Sequence, residues 1–188
     1  VIAILPSSDG PTSPSPPRSP LRVTIPRDAR KPGPEVFPPQ AKVGASYLGP
    51  MLAKRRAQEQ GYDEVVLLDA EGHVAEAPTA NVFAVRRGEI FTPALGRVLP
   101  GITRDSILAL ATAEGLVARE AHLSPEQLLG ADEAFLAATS YPVLGIASIE
   151  RHPLKDGAPG PVTARLLELL VACERGEDGR FAQWVVPV

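Results

Sequence analysis

Leu99-Pro100-Gly101-Ile102-Thr103-Arg104-Asp105 tips a turn into an amphipathic helix, and a helix start is a place where a chain can hold an anion. The first N–H groups of a helix have no partner inside it, and the aligned peptide dipoles add partial positive charge there. The Thr103 hydroxyl completes a cradle suited to phosphate. Lys42 follows a Pro-bearing approach and precedes the small Val43-Gly44-Ala45-Ser46. Enclosed there, its amine would act as a nucleophile that forms Schiff bases with carbonyls. Taken singly, a lysine is most often a solvated surface group. Thr139-Ser140 follow the apolar Phe135-Leu136-Ala137-Ala138 and precede Tyr141-Pro142. Hydroxyls at a strand end can bind an anion, although an ordinary polar turn is the commoner explanation of such a pair. An amine together with two anion-binding turns points to an enzyme site for a phosphorylated cofactor.

Three further residues bear on that site. Tyr47 lies five residues after Lys42 at a helix entry, where its phenol either donates to a cofactor oxygen or rests half-buried with its hydroxyl in water. Glu76 closes a strand among small apolar neighbours, so it either faces solvent or pairs with a buried cation. Asn81 reads as a turn residue whose functional role, if it has one, is to orient Glu76. His73, His122 and His152 lack the spacing of a zinc site, and no metal is expected. Neither a GxGxxG run, a Walker loop nor a GxSxG elbow is present.

The elements that must carry these residues follow from periodicity and punctuation. Leu21–Ile25 alternates as a strand, after a Pro/Ser-rich passage at 6–20 read as a surface loop from an opening strand at 1–5. Ser46 is placed to cap a helix to about Gln60, with Pro50 in its first turn and Gly61 at its end. Val65–Leu68 and His73–Glu76 read as a hairpin, and Asn81–Arg86 with Glu89–Thr92 as a second one around Arg87-Gly88. A helix is expected from about Thr103 to Glu114, a capping box at Ser124–Gln127, strands at Ala134–Ala138 and Ile146–Glu150, and a closing helix at Pro161–Arg175. Met51 and Trp184 read as packing residues. Hairpins first and helices later make the class α+β, with a largely antiparallel or mixed sheet.

The whole chain sets the bounds. Its 188 residues, 44% hydrophobic, suffice for one good-sized core. A net charge of -3 gives no footprint for nucleic acid, and no apolar run is long enough to span a membrane. The single cysteine, Cys173, fits a reducing compartment, so a cytoplasmic protein is the default expectation. Val1 opening directly into an apolar stretch points to a fragment.

In order along the chain, AKVGASYL, GYDEVVLLDAEGHVAE, NVFAV, FTPALGRVLPGITRD, ADEAFLAATS and DGAPGPVT resemble the class IV, or fold-type IV, pyridoxal-phosphate aminotransferases. The branched-chain amino acid aminotransferases look most similar. The match runs from about Lys42 to Thr163 and is weaker over Val1–Ala41 and the tail. The resemblance implies a mixed or antiparallel β pseudo-barrel with flanking helices. Residues 1–41 would lead into a cofactor-binding large domain at 42–188, with the family's small N-terminal domain absent. It implies pyridoxal 5'-phosphate as cofactor, held by Lys42 as a Schiff base, with Glu76 at the pyridine nitrogen and Tyr47 at the ring's 3-oxygen. Leu99 would pack on the ring, Ile102, Thr103 and Thr139 would hold the phosphate, and the amides of Thr139 and Ser140 the substrate carboxylate. The implied reaction passes an amino group between a branched-chain L-amino acid and 2-oxoglutarate, in a homodimer. A D-amino acid transaminase, an aminodeoxychorismate lyase, or a cofactor-binding but silent fragment are the alternatives. Tyr47 and LPGITRD argue against the first two. The sequence departs from the family pattern at Ala77-Pro78-Thr79-Ala80-Asn81, where a glycine-rich run and Glu-Asn are usual, and at Ala138-Thr139-Ser140-Tyr141, where Gly-Thr-Ala-Ala is usual.

Overall fold

The computed structural model describes residues 20–155 and 159–184, so the strand expected at 1–5 lies outside the described residues, as does nearly all of the Pro/Ser-rich passage. The elements run β1 (Leu21–Thr24), a 3-10 turn (Gly44–Tyr47), α1 (Leu48–Glu59), β2 (Glu64–Val65), β3 (Asn81–Arg86), β4 (Glu89–Pro93) and α2 (Ile102–Ala113). They continue with β5 (Ala118–Ala121), α3 (Pro125–Leu129), β6 (Glu133–Ala138), β7 (Tyr141–Ile149), β8 (His152–Pro153) and α4 (Pro161–Glu174), ending in a 3-10 segment at Gly179–Trp184.

Among the described residues the strands form one mixed sheet in the order β2-β1-β7-β6-β3-β4-β5, with β8 on β7. β1 runs parallel to β2 and β7, and β4 parallel to β5, while the other pairs are antiparallel. The expected mixed sheet with flanking helices is what the chain forms.

The central strands β3 and β6 are apolar on both faces, and their period of two sorts the core into layers. Val82, Ala84, Ala134 and Leu136 join Val23, Ile25, Val66, Leu68 and Leu128 on one side. Phe83, Val85, Phe135 and Ala137 face the other, where α2 brings Ile107, Leu110 and Ala111, and α4 brings Leu166, Leu169, Leu170 and Cys173. Those helical residues recur every three or four positions, which is what lays a helix flat on a sheet. Phe83 and Phe135, paired across the ladder, stack with ring centroids 4.7 Å apart. α1 covers the sheet's edge, with Ala53 and Ala57 on Val65 and Leu67.

Several elements differ from expectation, each for a physical reason. Ser46 does not cap α1: its hydroxyl donates to the Val43 carbonyl at 2.8 Å, and the helix opens instead from the 3-10 turn. The 65–68/73–76 hairpin is regular only in part. Asp69 N–H donates to His73 O at 2.8 Å and Ala75 N–H to Leu67 O at 2.9 Å, but Val66 N–H is taken by Thr24 and Val74 N–H by Leu123. β5 was not anticipated, because as an edge strand it carries no apolar alternation. β7 begins at Tyr141 rather than Ile146, which makes Thr139-Ser140 the two-residue link of a β6–β7 hairpin. Met51 and Trp184 are exposed rather than packed away.

The second hairpin meets expectation, with Arg87 and Gly88 both at positive φ, 51° and 78°, as a two-residue turn of that hand requires. So does the capping box, in which Gln127 N–H donates to Ser124 Oγ at 3.2 Å and Ser124 N–H to Gln127 Oε1 at 2.7 Å. No helix among the described residues is long and apolar enough to cross a membrane.

Candidate active site

The start of β3, the end of β6 and the start of α2 converge, since Asn81 pairs with Ala137 across the ladder and Gly101 lies against Asn81. A cavity opens at this convergence. Lys42, Tyr47, Glu76, Leu99, Ile102, Thr103 and Thr139 all line it, although they span nearly a hundred positions of the chain. Ser140 does not line it; it is exposed, as the second residue of the β6–β7 link.

Glu76 lines this cavity, with its side chain 13% exposed. Leu99 N–H donates to Oε2 at 3.0 Å and Asn81 Nδ2 to the same oxygen at 3.1 Å. Lys31 Nζ donates to Oε1 and also to the Pro39 carbonyl at 3.3 Å. Of the two readings left open for Glu76, pairing with a buried cation is the one the fold realises. Burial pushes its carboxyl above the usual range; the Lys31 charge and hydrogen bond, the Leu99 amide and the more distant Arg104 charge pull it back. Asn81 does orient Glu76, and its Nδ2 also donates to Leu99 O at 3.0 Å, tying the acid to the loop before α2.

Gly101 makes this contact possible. A Cβ there would collide with Asn81 Oδ1, so the loop can approach the amide only as glycine. Gly101 is also the N-cap of α2 and, with no side chain to cap with, leaves the end of the helix open. The first intrahelical bond is Asp105 N–H to Gly101 O at 3.0 Å, so the amides of Ile102, Thr103 and Arg104 precede the ladder and aim out of the helix. Ile102 is 80% exposed, so its side chain adds little to the core, and its N–H is one of the open amides at the helix start. Arg104 is fully buried behind this end, paired with Glu120 and with Asp105, and donates to Pro93 O at 3.0 Å.

Lys42 reaches the cavity from the segment that follows the proline-rich passage. Pro38 and Pro39 lead into a tight turn, with Ala41 N–H on Pro38 O at 3.0 Å and Val43 N–H on Ala41 O at 3.2 Å. The enclosure expected for Lys42 is not met. The residue is exposed, as are its neighbours Val43, Gly44 and Ala45, because the turn is held down at the buried Pro39 and runs along the surface from there. Tyr47 ends the 3-10 turn that follows and is half-buried.

Sequence reasoning missed Lys31. The one signal is its place immediately before the proline-rich 32–39 passage, where a short rigid connection fixes where a side chain can reach. Histidines scattered in sequence are closer in space than expected, with the rings of His73 and His122 5.3 Å apart, but away from this cavity.

The donor set suits pyridoxal phosphate: an acid held by donors for a ring nitrogen, open helix amides with a hydroxyl for a phosphate, and an accessible amine for an aldehyde. The chain belongs to the class IV aminotransferases, whose family profile, described as Amino-transferase class IV, matches residues 2–149.

Within that family it is similar to branched-chain enzymes. It is 37% identical over 153 residues to a probable branched-chain-amino-acid aminotransferase of Synechocystis, covering 81% of this chain and 50% of that relative. To the branched-chain-amino-acid aminotransferase of Salmonella typhimurium it is 36% identical over 156 residues, 82% of this chain and 50% of that one. The crystal structure of the branched-chain amino acid aminotransferase from Thermobaculum terrenum, in its PLP holo form, superposes with a TM-score of 0.86 at 37% identity, covering 89% of this chain and 55% of that one. The chain spans about half the length of the curated relatives it matches.

Proposed function

We propose that this chain carries the pyridoxal-phosphate site of a transaminase acting between a branched-chain L-amino acid and 2-oxoglutarate. The observation that carries the reading is the single cavity shared by Lys42, Glu76 and the open start of α2. When bound, the cofactor supplies an electron sink that acidifies the Cα–H of an attached amino acid. The roles of the residues follow from their chemistry. Glu76 keeps a proton on the ring nitrogen, since a carboxylate aimed by two donors is an acceptor for it. The amides of Ile102 and Thr103, the Thr103 hydroxyl and Thr139 hold the phosphate, helped by the dipole of α2. Leu99 and Tyr47 line the same cavity, where Leu99 would pack on the ring and the Tyr47 phenol would donate to its 3-oxygen. Lys42 is the amine that would attach the cofactor and, once the substrate's own amine had displaced it, would be free to take the proton from the substrate Cα. The backbone amides of Thr139 and Ser140, at the tight β6–β7 link, receive the substrate carboxylate.

Three finer points belong to the same proposal: residues 42–188 as the cofactor-binding unit, a homodimer as the working assembly, and the cytoplasm as its compartment, in keeping with one buried free cysteine. Borohydride reduction of the protein loaded with pyridoxal phosphate, followed by peptide mapping, is the test. A pyridoxyl group on Lys42 is expected, and a label on any other lysine overturns the assignment. Comparing L-leucine, D-alanine and aminodeoxychorismate as substrates then decides the reaction, with L-leucine expected to be preferred.

A further inference from the structure

Lys31 and Glu76 form a half-buried ion pair on the cavity wall, their side chains 12% and 13% exposed. Taking an ammonium and a carboxylate out of water is costly, and the pair persists only because each group is bonded on several sides. Lys31 is anchored at both ends. Its backbone N–H donates to Leu68 O at 2.8 Å, and its Nζ bridges Glu76 to the Pro39 carbonyl at 3.3 Å, three residues before Lys42. The neighbouring Arg30 bridges to Leu68 as well.

We propose that Lys31 is a positioning residue for the ring nitrogen of the cofactor: its ammonium keeps Glu76 ionised and turned into the cavity before the cofactor arrives. The inference rests on the reading of this cavity as a pyridoxal-phosphate site. The carboxylate's geometry supports it. Oε2 is occupied by the Leu99 amide and Asn81 Nδ2, neither of them charged, so among the described residues the ammonium in contact with this acid is that of Lys31, on Oε1. The other charged or titratable groups facing Glu76 do not replace it. Arg104, on α2, is engaged by Glu120 and Asp105, while Lys42 and Tyr47 line the same cavity without bonding the carboxylate. Left without its ammonium, a carboxylate this buried would take up a proton and become a donor, and so lose its function as acceptor for a protonated ring nitrogen.

The experiment is an NMR titration of the Glu76 carboxyl carbon in the full chain without cofactor, using 13C-glutamate and assigning the resonance by its loss in Glu76→Gln. Lys31→Gln keeps a donor of similar reach but removes the charge, and Lys31→Arg keeps the charge. The expected result is a Glu76 titration shifted upward by about one pH unit or more in Lys31→Gln, the size an adjacent opposite charge produces, and restored toward the parent in Lys31→Arg. If Lys31 merely straps the proline-rich segment down, Lys31→Gln lowers the unfolding midpoint while the Glu76 titration stays put, and that overturns the proposal. Should Lys31→Gln fail to fold, the Lys31→Arg titration decides instead: a curve unlike the parent's overturns the proposal, and a matching one supports it. Because no cofactor is present, a failed borohydride label at Lys42 would refute the site reading without touching this titration, so the two failures are distinguishable.

Discussion

Gly101→Ala gives the sharpest test of how the site is assembled, because its backbone and its contacts make opposite predictions. At φ -73° and ψ 135° the residue sits in extended backbone that alanine adopts freely. By that criterion alone the substitution stabilises the protein by about 0.4–1 kcal/mol, through a less flexible unfolded chain. The added Cβ, however, would collide with Asn81 Oδ1, and Asn81 is buried with its amide committed to Glu76 Oε2 at 3.1 Å and to Leu99 O at 3.0 Å. Turning that amide away forfeits a bond to a charged group, about 1.5–3 kcal/mol, and a neutral one, about 0.5–1.5 kcal/mol. Set against the backbone gain, the net is a destabilisation of about 1–4 kcal/mol. Urea unfolding of the parent, Gly101→Ala, Asn81→Ala and the double variant measures it. In the Asn81→Ala background the obstruction is gone, so Gly101→Ala there should be neutral or slightly stabilising, with a coupling energy of at least about 1 kcal/mol. A single variant as stable as the parent, or two strictly additive substitutions, would refute the reasoning.

Glu76 itself sets a pH dependence. Its folded carboxyl lies above the ordinary range because of burial, so between the unfolded and folded pKa values, and only there, the folded state binds more proton than the unfolded one. Stability contributed by this group is present below the unfolded pKa, about 4.3, and is lost as pH rises through the raised folded value. Asp63, Glu114, Asp132 and Asp178 are shifted downward by arginines, a lysine or backbone amides and act in the opposite direction. The difference between parent and Glu76→Gln unfolding curves, measured without cofactor, therefore isolates Glu76, and the parent should lose ground to Glu76→Gln as pH rises through that window. Far from the cavity, buried Glu133 accepts the Val162 and Thr163 amides at 3.0 and 2.8 Å and so satisfies the start of α4 from a neighbouring strand. Glu133→Gln turns an NH2 toward one of those donors; a loss of about 1–3 kcal/mol is expected, read by calorimetry as a drop of about 2–4 °C per kcal/mol.

What could be read in advance, and what could not, separates along the range of the forces involved. Local chemistry was legible: Arg87-Gly88 makes its turn with both residues at positive φ, Ser124 and Gln127 cap each other, and the helix after Gly101 starts within one residue of its expected place. Each of these depends on atoms fewer than five positions apart. The convergence of Lys42, Glu76, Thr103 and Thr139 on one cavity was legible only because several motifs occurred in family order; composition and periodicity bring none of them together. Elements whose partners are distant were misjudged. β5 owes its existence to parallel pairing with β4, and residues 66–74 bond not only to one another and to Ala75 and Glu76 but also to the distant Thr24, Lys31 and Leu123. Lys31 escaped notice for the same reason, since it is 45 positions from the carboxylate it meets.

The choice between the two readings of Glu76 was decided by connections that alternation in the residues around it cannot reveal. Its neighbours Val74, Ala75 and Ala77 are buried, and a carboxylate among them survives only if donors arrive from elsewhere. They arrive from three separate segments: Lys31 ahead of the proline-rich passage, Asn81 at the start of β3, and the Leu99 amide ahead of α2. Each of those segments also leads to a group assigned to the cofactor, because the proline-rich passage runs on to Lys42, Asn81 pairs with β6, which Thr139 directly follows, and Leu99 precedes Ile102 and Thr103. The donors that make Glu76 tolerable to the fold are thus the same ties that set the distances between the acid, the amine and the phosphate cradle. Loosening any one of them should disturb stability and cofactor geometry together, and this is why Gly101→Ala, which leaves every charge and every cofactor-facing side chain in place, is expected to weaken both.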